Sequence, residues 1–460
     1  MARTSSGRTS VTFLGALLAV LLLCSVLLFE TNLEASNTIT VNTLSDASTS
    51  GDGLCSLREA INNANSLSET TGGDCAAGTG TDTIVFNLSG QITLGNVLPA
   101  IANTSPQTLT IDGSGQNITV DGGNTYQVLM VNSGATLNLN RLTIAHGYCS
   151  LNACMSGYQY RGGAGIMNSG TLTVTNSTIS GNTAFQTVGG GIENVGTLTV
   201  TNSTLSGNYA NNGGGIYNAG ALTISNSTLS NNSAYTSAGI LNAFATTASA
   251  SNITLSGNSA TTTGGGIFNY HSAFAIINST FSGNSATNGG AIYDEGSGGG
   301  GLEVAVTNTI FANSTSGSCY GGSVTDGGYN LSDDHTCGFT GTGANGDTLG
   351  DGVNPLLDPS GLQNNGGPTQ TIALQSTSPA IDAIPHGNAN CPGIDQRGLP
   401  RPDPEDGANG ACDVGAYEYQ GPVCLQPKTK DDCKGDGWQN FCGPSFKNQG
   451  QCVSWVNHNA

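Results

Sequence analysis

The sequence predicts an all-β protein: a single-stranded, right-handed parallel β-helix with an N-terminal helical cap and a small disulfide-rich C-terminal module. Three observations predict it. A Gly-rich approach to an Ile, with Asn or Asp two residues later, recurs at Ile166/Asn168, Ile192/Asn194, Ile216/Asn218, Ile240/Asn242, Ile267/Asn269 and Ile292/Asp294, in steps of 24 to 27 residues. Between these landmarks aliphatic and hydroxyl residues alternate, as with Leu172 and Val174 among Thr171, Thr173 and Thr175. A strand sends alternate side chains to opposite faces, so the aliphatics turn inward and the hydroxyls face water. Composition agrees: charged residues make up 9% of the chain and Gly numbers 69, whereas disordered chains carry many charges and no regular apolar spacing.

Residues 1–35 read as an export signal. Arg3 and Arg8 precede an apolar run from Val11 to Phe29, and Ala35 ends a small-residue cleavage site. The run is also long enough to span a bilayer, so a cleaved signal peptide and a retained signal anchor both fit. Cys24 follows Leu23, without the small residue that a lipid-attachment cysteine requires.

Residues 36–80 form the expected N-terminal cap. Residues 55–61 read Cys-Ser-Leu-Arg-Glu-Ala-Ile, in which Ser56 and Glu59 have the spacing of a capping box that starts a helix. Leu57, Ala60, Ile61 and Ala64 would share its apolar face. A helix of this kind, laid over the open first coil, covers both its apolar end and its strand edges.

Residues 81–345 are the expected β-helix. Early irregular coils point Ile118/Val120, Leu129/Val131, Leu137/Leu139 and Leu142/Ile144 inward, before the regular repeat begins. Further landmarks follow each Ile: Asn176, Asn202, Asn226, Asn252, Asn278 and Asn308, then Ile179, Leu205, Leu229, Leu255, Phe281 and Phe311. Most repeats then reach Asn182, Asn208, Asn232, Asn258 or Asn284. The pattern fits coils of three short sides. Asn tolerates positive φ at corners, and its amide can bond to the Asn of the next coil to form a ladder. One coil alone cannot fold. Burying each of its few aliphatics returns roughly 1.5–3 kcal/mol, while ordering its backbone costs about 1–2 kcal/mol per residue. Stacking makes the array cooperative.

Two flanking segments follow, 346–420 and the cysteine-rich 421–460. Without Cys24 the chain holds an even set of cysteines, which in an exported protein reads as disulfides. Sequence neighbours pair as Cys55–Cys75, Cys149–Cys154, Cys319–Cys337 and Cys391–Cys412. Cys424, Cys433, Cys442 and Cys452 supply two further bonds of open pairing. Zinc sites need close CxxC pairs or accompanying His, and neither is present. In the last segment Trp438, Phe441, Phe446 and Trp455 form either a miniature core or a small binding knob. A unit this short needs cross-links to hold its fold.

Several strings carry a family resemblance. CSLREAI at 55–61 resembles the signature of the bacterial surface proteins with a CSLREA domain. NPLL at 354–357, NNGGPTQT at 364–371, SPAIDA at 378–383, DQRG at 395–398 and ACDVGAYE at 411–418 resemble the choice-of-anchor Q region found downstream of such β-helices. Gly-Gly-Ala-Ile at 289–292 and Phe-Ser-Gly-Asn at 281–284 are similar to repeats of polymorphic outer-membrane adhesins, although this chain shows no strands for a translocator barrel. It also shows no LPxTG sorting string. CKGDGWQNF and FKNQGQCV within 433–453 are similar to a C-terminal module of other exported bacterial proteins. The resemblance implies a bacterial surface location and an adhesin-like β-helix.

Charge limits the partners. The formal net charge is −19, and no Lys or Arg occurs between Arg161 and Arg397. Such a surface repels phosphate backbones and anionic lipid, so nucleic acid is excluded and membrane contact is expected only through the N-terminal segment. The chain is expected as a monomer whose partner is an extracellular glycan or another cell-surface component.

Acids are too sparse in the regular coils to assign catalysis. Glycan hydrolysis needs two carboxylates, one donating a proton while the other activates water. The acids there are Glu193, Asp294, Glu295 and Glu303, and Glu193 lies about four coils, roughly 19 Å, from the rest at about 4.8 Å per coil. Asp294, Glu295 and Glu303 can lie close together, with solvated surface as the plainer reading. Asp333-Asp334-His335 is a second acid and base cluster, lying on a loop. His146, His271, His386 and His458 are isolated. Asp46, Asp52, Asp347 and Asp351 lie near the two ends, where loops can hold a structural Ca²⁺, although no ligand set is defined. Asp395, Arg397, Asp413 and Glu418 read as a salt-bridge and turn network, with a carbohydrate site as the alternative. Thr173/Thr175, Thr199/Thr201 and Thr223/Ser225 would stack into a hydroxyl grid like that of ice-binding solenoids, but it breaks at Ala273, Ala275 and Ile277. No catalytic, cofactor-binding or metal-binding residue is assigned. The expectation is an exported, non-catalytic cell-surface scaffold or adhesin; the alternative is a polysaccharide lyase or glycoside hydrolase.

Overall fold

The computed structural model describes residues 36–459 apart from 105–106, 151–153, 155–161, 245–246, 297–302, 323, 345, 347, 389–390, 392, 404–409, 422–429, 432 and 436–445. The export segment, Arg161, Asp347, Cys424, Trp438, Phe441 and Cys442 therefore lie outside the described residues.

Strands of two to six residues alternate with corners, and each strand pairs in parallel with its counterpart one coil away. The result is a parallel β-solenoid of the right-handed type with about 8 turns. Among the described residues sheet A has 11 strands, from Ser36–Val41 to Thr325–Asp326; sheet B has 12, sheet C has 8 and sheet D has 5. Sheet D contains Tyr148–Ser150, Thr183–Val188, Tyr209–Asn212, Ser233–Thr236 and Ser259–Ala260. These coils have four sides where the repeat suggested three. The stretch between each buried Asn and the next Gly-rich corner is too long for one turn, and its first residues pair as a short extra strand.

Register explains the repeat. Leu172 lies between Leu137 and Leu198, Val200 between Val174 and Ile224, and Ile192 between Ile166 and Ile216. These side chains are fully buried. Toward the C-terminal end Phe274, Phe281 and Phe311 fill the same interior, with the rings of Phe281 and Phe311 stacked 4.8 Å apart. The Gly before each of the first five landmark Ile residues has a packing reason, and Ala291 takes that place before Ile292. A Cβ on Gly191 would sit 2.6 Å from the Gly215 carbonyl oxygen of the next coil.

Asparagines perform two separate jobs. Asn176, Asn202, Asn226, Asn252, Asn278 and Asn308 adopt left-handed φ of 49 to 52° at one corner. Asn168, Asn194, Asn218, Asn242 and Asn269 have no such strain and form a buried ladder, each Nδ2 donating to the next Oδ1 at 2.6–2.9 Å. That ladder ends on Asp294 Oδ1. A second ladder runs Asn182, Asn208, Asn232, Asn258, Asn284 at 2.9–3.0 Å.

The cap is helix α1, Leu57–Ser66. Its capping box is closed on both sides: Glu59 N donates to Ser56 Oγ and Ser56 N donates to Glu59 Oε2. Leu57, Ala60, Ile61 and Ala64 are buried against the first coils. Arg58 pins the helix outward, donating through Nη2 to Asp46 Oδ2 at 2.6 Å and to the Asn96 carbonyl at 2.7 Å, and through Nη1 to the Val97 carbonyl at 2.6 Å. Disulfides join Cys55–Cys75, Cys149–Cys154, Cys319–Cys337, Cys391–Cys412 and Cys433–Cys452. Such cross-links point to an oxidising environment. Among the described residues no helix is long and apolar enough to cross a membrane.

Sheet B ends in an antiparallel pair, Thr340–Thr342 with Thr348–Asp351. The following flank turns back along the outside of sheet B as a strap. Gln396 donates to Thr228 Oγ1 at 2.9 Å and accepts from Thr254 Oγ1 at 2.7 Å. Ala416 N donates to Thr280 Oγ1 at 3.0 Å, and Gly415 N to the Asn308 carbonyl at 2.9 Å. Leu374, Ala380, Ile384 and Val414 pack with Ile310, Leu331 and Leu349 as a second core. At the C-terminus helix α2, Gln449–Asn459, packs Val453, Trp455 and Val456 with Phe446 around Cys433–Cys452.

Candidate functional site

The candidate acids do not share one site. Glu193 is buried and accepts from Gly162 N at 2.6 Å. Asp294 is fully buried at the end of the ladder, one oxygen holding Asn269 and the other, Oδ2, without a hydrogen-bond partner. Burial pushes its carboxyl above the ordinary range, against the hydrogen bond from Asn269. Glu295 and Glu303 are exposed, and Glu303 accepts from Thr325 Oγ1 at 2.9 Å.

The Asp333-Asp334-His335 loop uses its carboxylates on its own turns. Asp333 Oδ2 accepts from Asn313 N at 2.6 Å, while Asp334 accepts from Ser318 N at 2.7 Å and Thr336 Oγ1 at 2.6 Å. Burial raises Asp333. In Asp334 burial acts upward too, but the bonds from Thr336 and Ser318 outweigh it and hold the group low. Near the cap, Asp46 is paired with Arg58 and Asp52 accepts from Leu54 N. Asp351 Oδ2 accepts from Gly338 N. No group of three or more acids, His or Cys able to hold a metal occurs among the described residues. His146, isolated in sequence, meets Asp121 at 2.9 Å, and His271 lies against the ring of Tyr270.

The strap encloses a cluster of buried charges. Arg397 pairs with Asp395 at 2.7 Å, donates to the Glu418 carbonyl and lies 3.7 Å over the Tyr417 ring. Arg401 contacts Glu418 Oε2 at 3.1 Å and donates to the carbonyls of Asp413 and Gly415. Burial, against the pull of Arg401, pushes Glu418 up to about 7. Asp413 is held well above its usual range by burial and then by Glu418. These side chains are all buried, so their chemistry braces the strap and faces no solvent.

The outward faces differ. On sheet A the hydroxyl file Thr173, Thr199, Thr223, Ser249 is in register and then meets Ala275, where the sequence reading broke it. On sheet B the strap covers Thr228, Thr254 and Thr280. On sheet C the residue between each Ile and Asn landmark lies on the outer side of its strand, where Met167, Glu193 and Leu241 are buried, Tyr217, Phe268 and Tyr293 are half-buried, and Tyr320 in the last coil is exposed. Phe268 and Tyr293 meet edge to face at 5.0 Å, and Tyr293 stacks with Tyr320 at 5.6 Å. Beside them Tyr270 touches Phe244 at 5.0 Å and pairs in register with Glu295. Sequence reasoning missed this file because it followed the Ile and Asn that face inward. The signal was the residue between them, which turns aromatic in the last coils.

No protein-family model matches the sequence, and no curated protein matches it. Among solved structures, one described as the crystal structure of pectate lyase Pel9A is similar with a TM-score of 0.46 at 13% identity, covering 84% of this chain and 98% of that chain.

Proposed function

We propose that the protein is an exported, non-catalytic cell-surface scaffold or adhesin that presents one β-helix face for glycan or cell-surface contact. The observation that supports this reading most is the partly exposed aromatic file in the last coils of sheet C, Phe268, Tyr293 and Tyr320. It stands on a stack made rigid by two buried asparagine ladders, a capping helix and a strap. Fixed aromatics lose little conformational entropy on binding, so they suit recognition by a preformed surface. The resemblance of the CSLREAI string and of the 354–418 motifs to bacterial surface proteins favours the same assignment. The alternative is a polysaccharide lyase or glycoside hydrolase, for which Glu295 and Glu303 are the exposed acids of the last coils.

One experiment separates them. Folded full-length protein is incubated with bacterial cell envelopes and a panel of extracellular polysaccharides, and both retention and products are followed. Saturable retention with unchanged substrate is expected. Release of unsaturated ends would move the assignment to a lyase, and of new reducing ends to a hydrolase.

A further inference from the structure

The sheet C face has three properties that together define a ligand. First, it is linear and narrow. Its strands are three or four residues long, and one outward residue per coil repeats at about 4.8 Å along the axis. A standard protein interface needs about 800 Å² on each partner, which a single file does not offer. An unbranched polymer lying along the axis fits it.

Second, the file presents ring edges and tyrosine hydroxyls to solvent and ends on the exposed ring of Tyr320. Tyr320 is 51% exposed and Phe244 67% exposed, while Phe268, Tyr270 and Tyr293 are half-buried and held in mutual contact. Rings so fixed can stack on the C–H faces of pyranoses, and the three tyrosine hydroxyls can bond to sugar hydroxyls.

Third, the face is acidic, and neither Glu295 nor Glu303 has an ion-pair partner among the described residues. Glu295 is exposed beside the file, Glu303 lies in the next strand region, and no Lys or Arg occurs between Arg161 and Arg397. Tyr293 and Glu295 flank the inward Asp294 on one strand, so ring and carboxylate share its outer side, and Tyr270 pairs in register with Glu295. Uronate polymers are repelled by such a surface. An ammonium group is attracted both by the carboxylate and by the ring faces.

We propose that the outer face of sheet C, from Phe268 to Tyr320, binds an unbranched polysaccharide bearing free amino groups, with Tyr320 stacking on a sugar ring, Phe268 and Tyr293 packing their edges against the chain, and Glu295 receiving the ammonium. The inference rests on the surface-binding reading above and adds the site and the ligand chemistry.

The test uses the full chain and its Tyr320→Ala, Tyr293→Ala and Glu295→Gln variants, each checked for an unchanged thermal unfolding midpoint. Calorimetric titrations use glucosamine oligomers, fully N-acetylated oligomers and galacturonate oligomers, with envelope retention measured in parallel. The amine-bearing oligomer should bind, weaken with added salt, and lose about tenfold in affinity with either Tyr320→Ala or Glu295→Gln. The galacturonate oligomers should not bind. Equal binding of the N-acetylated oligomer, or binding indifferent to Glu295→Gln, overturns the amine assignment. Envelope retention untouched by all three variants overturns the site while leaving the surface-binding reading intact. Loss of retention by the unaltered chain overturns that reading itself.

Discussion

At Asn232 every polar atom of a fully buried side chain is in use. Its Nδ2 donates to Asn258 Oδ1 at 2.9 Å and to the Leu205 carbonyl at 3.0 Å, while its Oδ1 accepts from both the backbone and the side chain of Asn208. Removing it leaves donors on Asn208 stranded inside the stack, and each stranded buried group costs about 1–3 kcal/mol. Asn232→Ala is therefore expected to lower stability by about 3 kcal/mol or more, read as a drop in urea midpoint at constant slope. Asn202 is a different case: it supplies a left-handed corner with φ 52°, which glycine also accepts. Asn202→Gly should cost only a few tenths of a kcal/mol, and Asn202→Ala about 1–2 kcal/mol. Unchanged midpoints for Asn232→Ala would refute the ladder's role. The sequence revealed where asparagines recur, because both roles demand that residue. It did not reveal which asparagine does which, since the division depends on the corner geometry. It also concealed a third buried file. Ser177 N donates to Ser203 Oγ and Ser203 N to Ser227 Oγ, a use of serine that no local pattern distinguishes from a surface hydroxyl.

Two elements close the stack, and they were unequally legible. The cap could be read directly because its motif is local: Ser56 and Glu59 bond within one helical turn, and Leu57 and Ile61 share a face. Arg58 was the silent member of that string, and the structure gives it Asp46 and two carbonyls. Arg58→Ala should cost about 2 kcal/mol and open the cap first, visible as faster amide exchange in α1 and in Ser36–Val41 before any change in later coils. The strap was recognisable as motifs, but its docking was not, because Thr228, Thr254 and Thr280 look like ordinary outward hydroxyls. Only the change to Ile310 and Leu331 in the same file hinted at cover. Its buried charges set a pH dependence. Glu418 is raised from 4.5 to about 7, so the folded chain retains a proton that the unfolded chain has lost. Stability from this group is full below about pH 4.5 and falls as pH rises toward about 7, by at most about 3 kcal/mol. Glu418→Gln cannot ionise, yet its amide oxygen can still accept from Arg401 and Asp413 N. The difference in urea midpoint between about pH 5 and about pH 8 should shrink in this variant; an unaltered difference would sink the assignment.

A solenoid held only by neighbouring coils unfolds piecewise, since its stability is a sum of nearest-neighbour terms. This chain departs from that rule in its second half. Gln396 contacts Thr254 and Thr228 across sequence separations of 142 and 168 residues, and Ala416 contacts Thr280 across 136. The strap therefore ties four successive coils to one another and to a core containing Leu331 and Leu349. Among the described residues the first half has no such cover on sheet B, where Thr178 and Thr204 are half-buried. Opening the strapped coils must release the strap as well, so they should behave as one cooperative unit with higher local opening energy. Hydrogen exchange should show it: amides of Thr228–Ser230, Thr254–Ser256 and Thr280–Ser282 exchange together and more slowly than those of Thr178–Ser180 and Thr204–Ser206. Gln396→Ala removes the central bonds of the strap without touching the coils' own ladders. In that variant the first group of amides should speed up together and approach the second. If they already exchange at the same rate in the unaltered chain, the strap contributes no cooperativity, and nearest-neighbour stacking alone accounts for the fold.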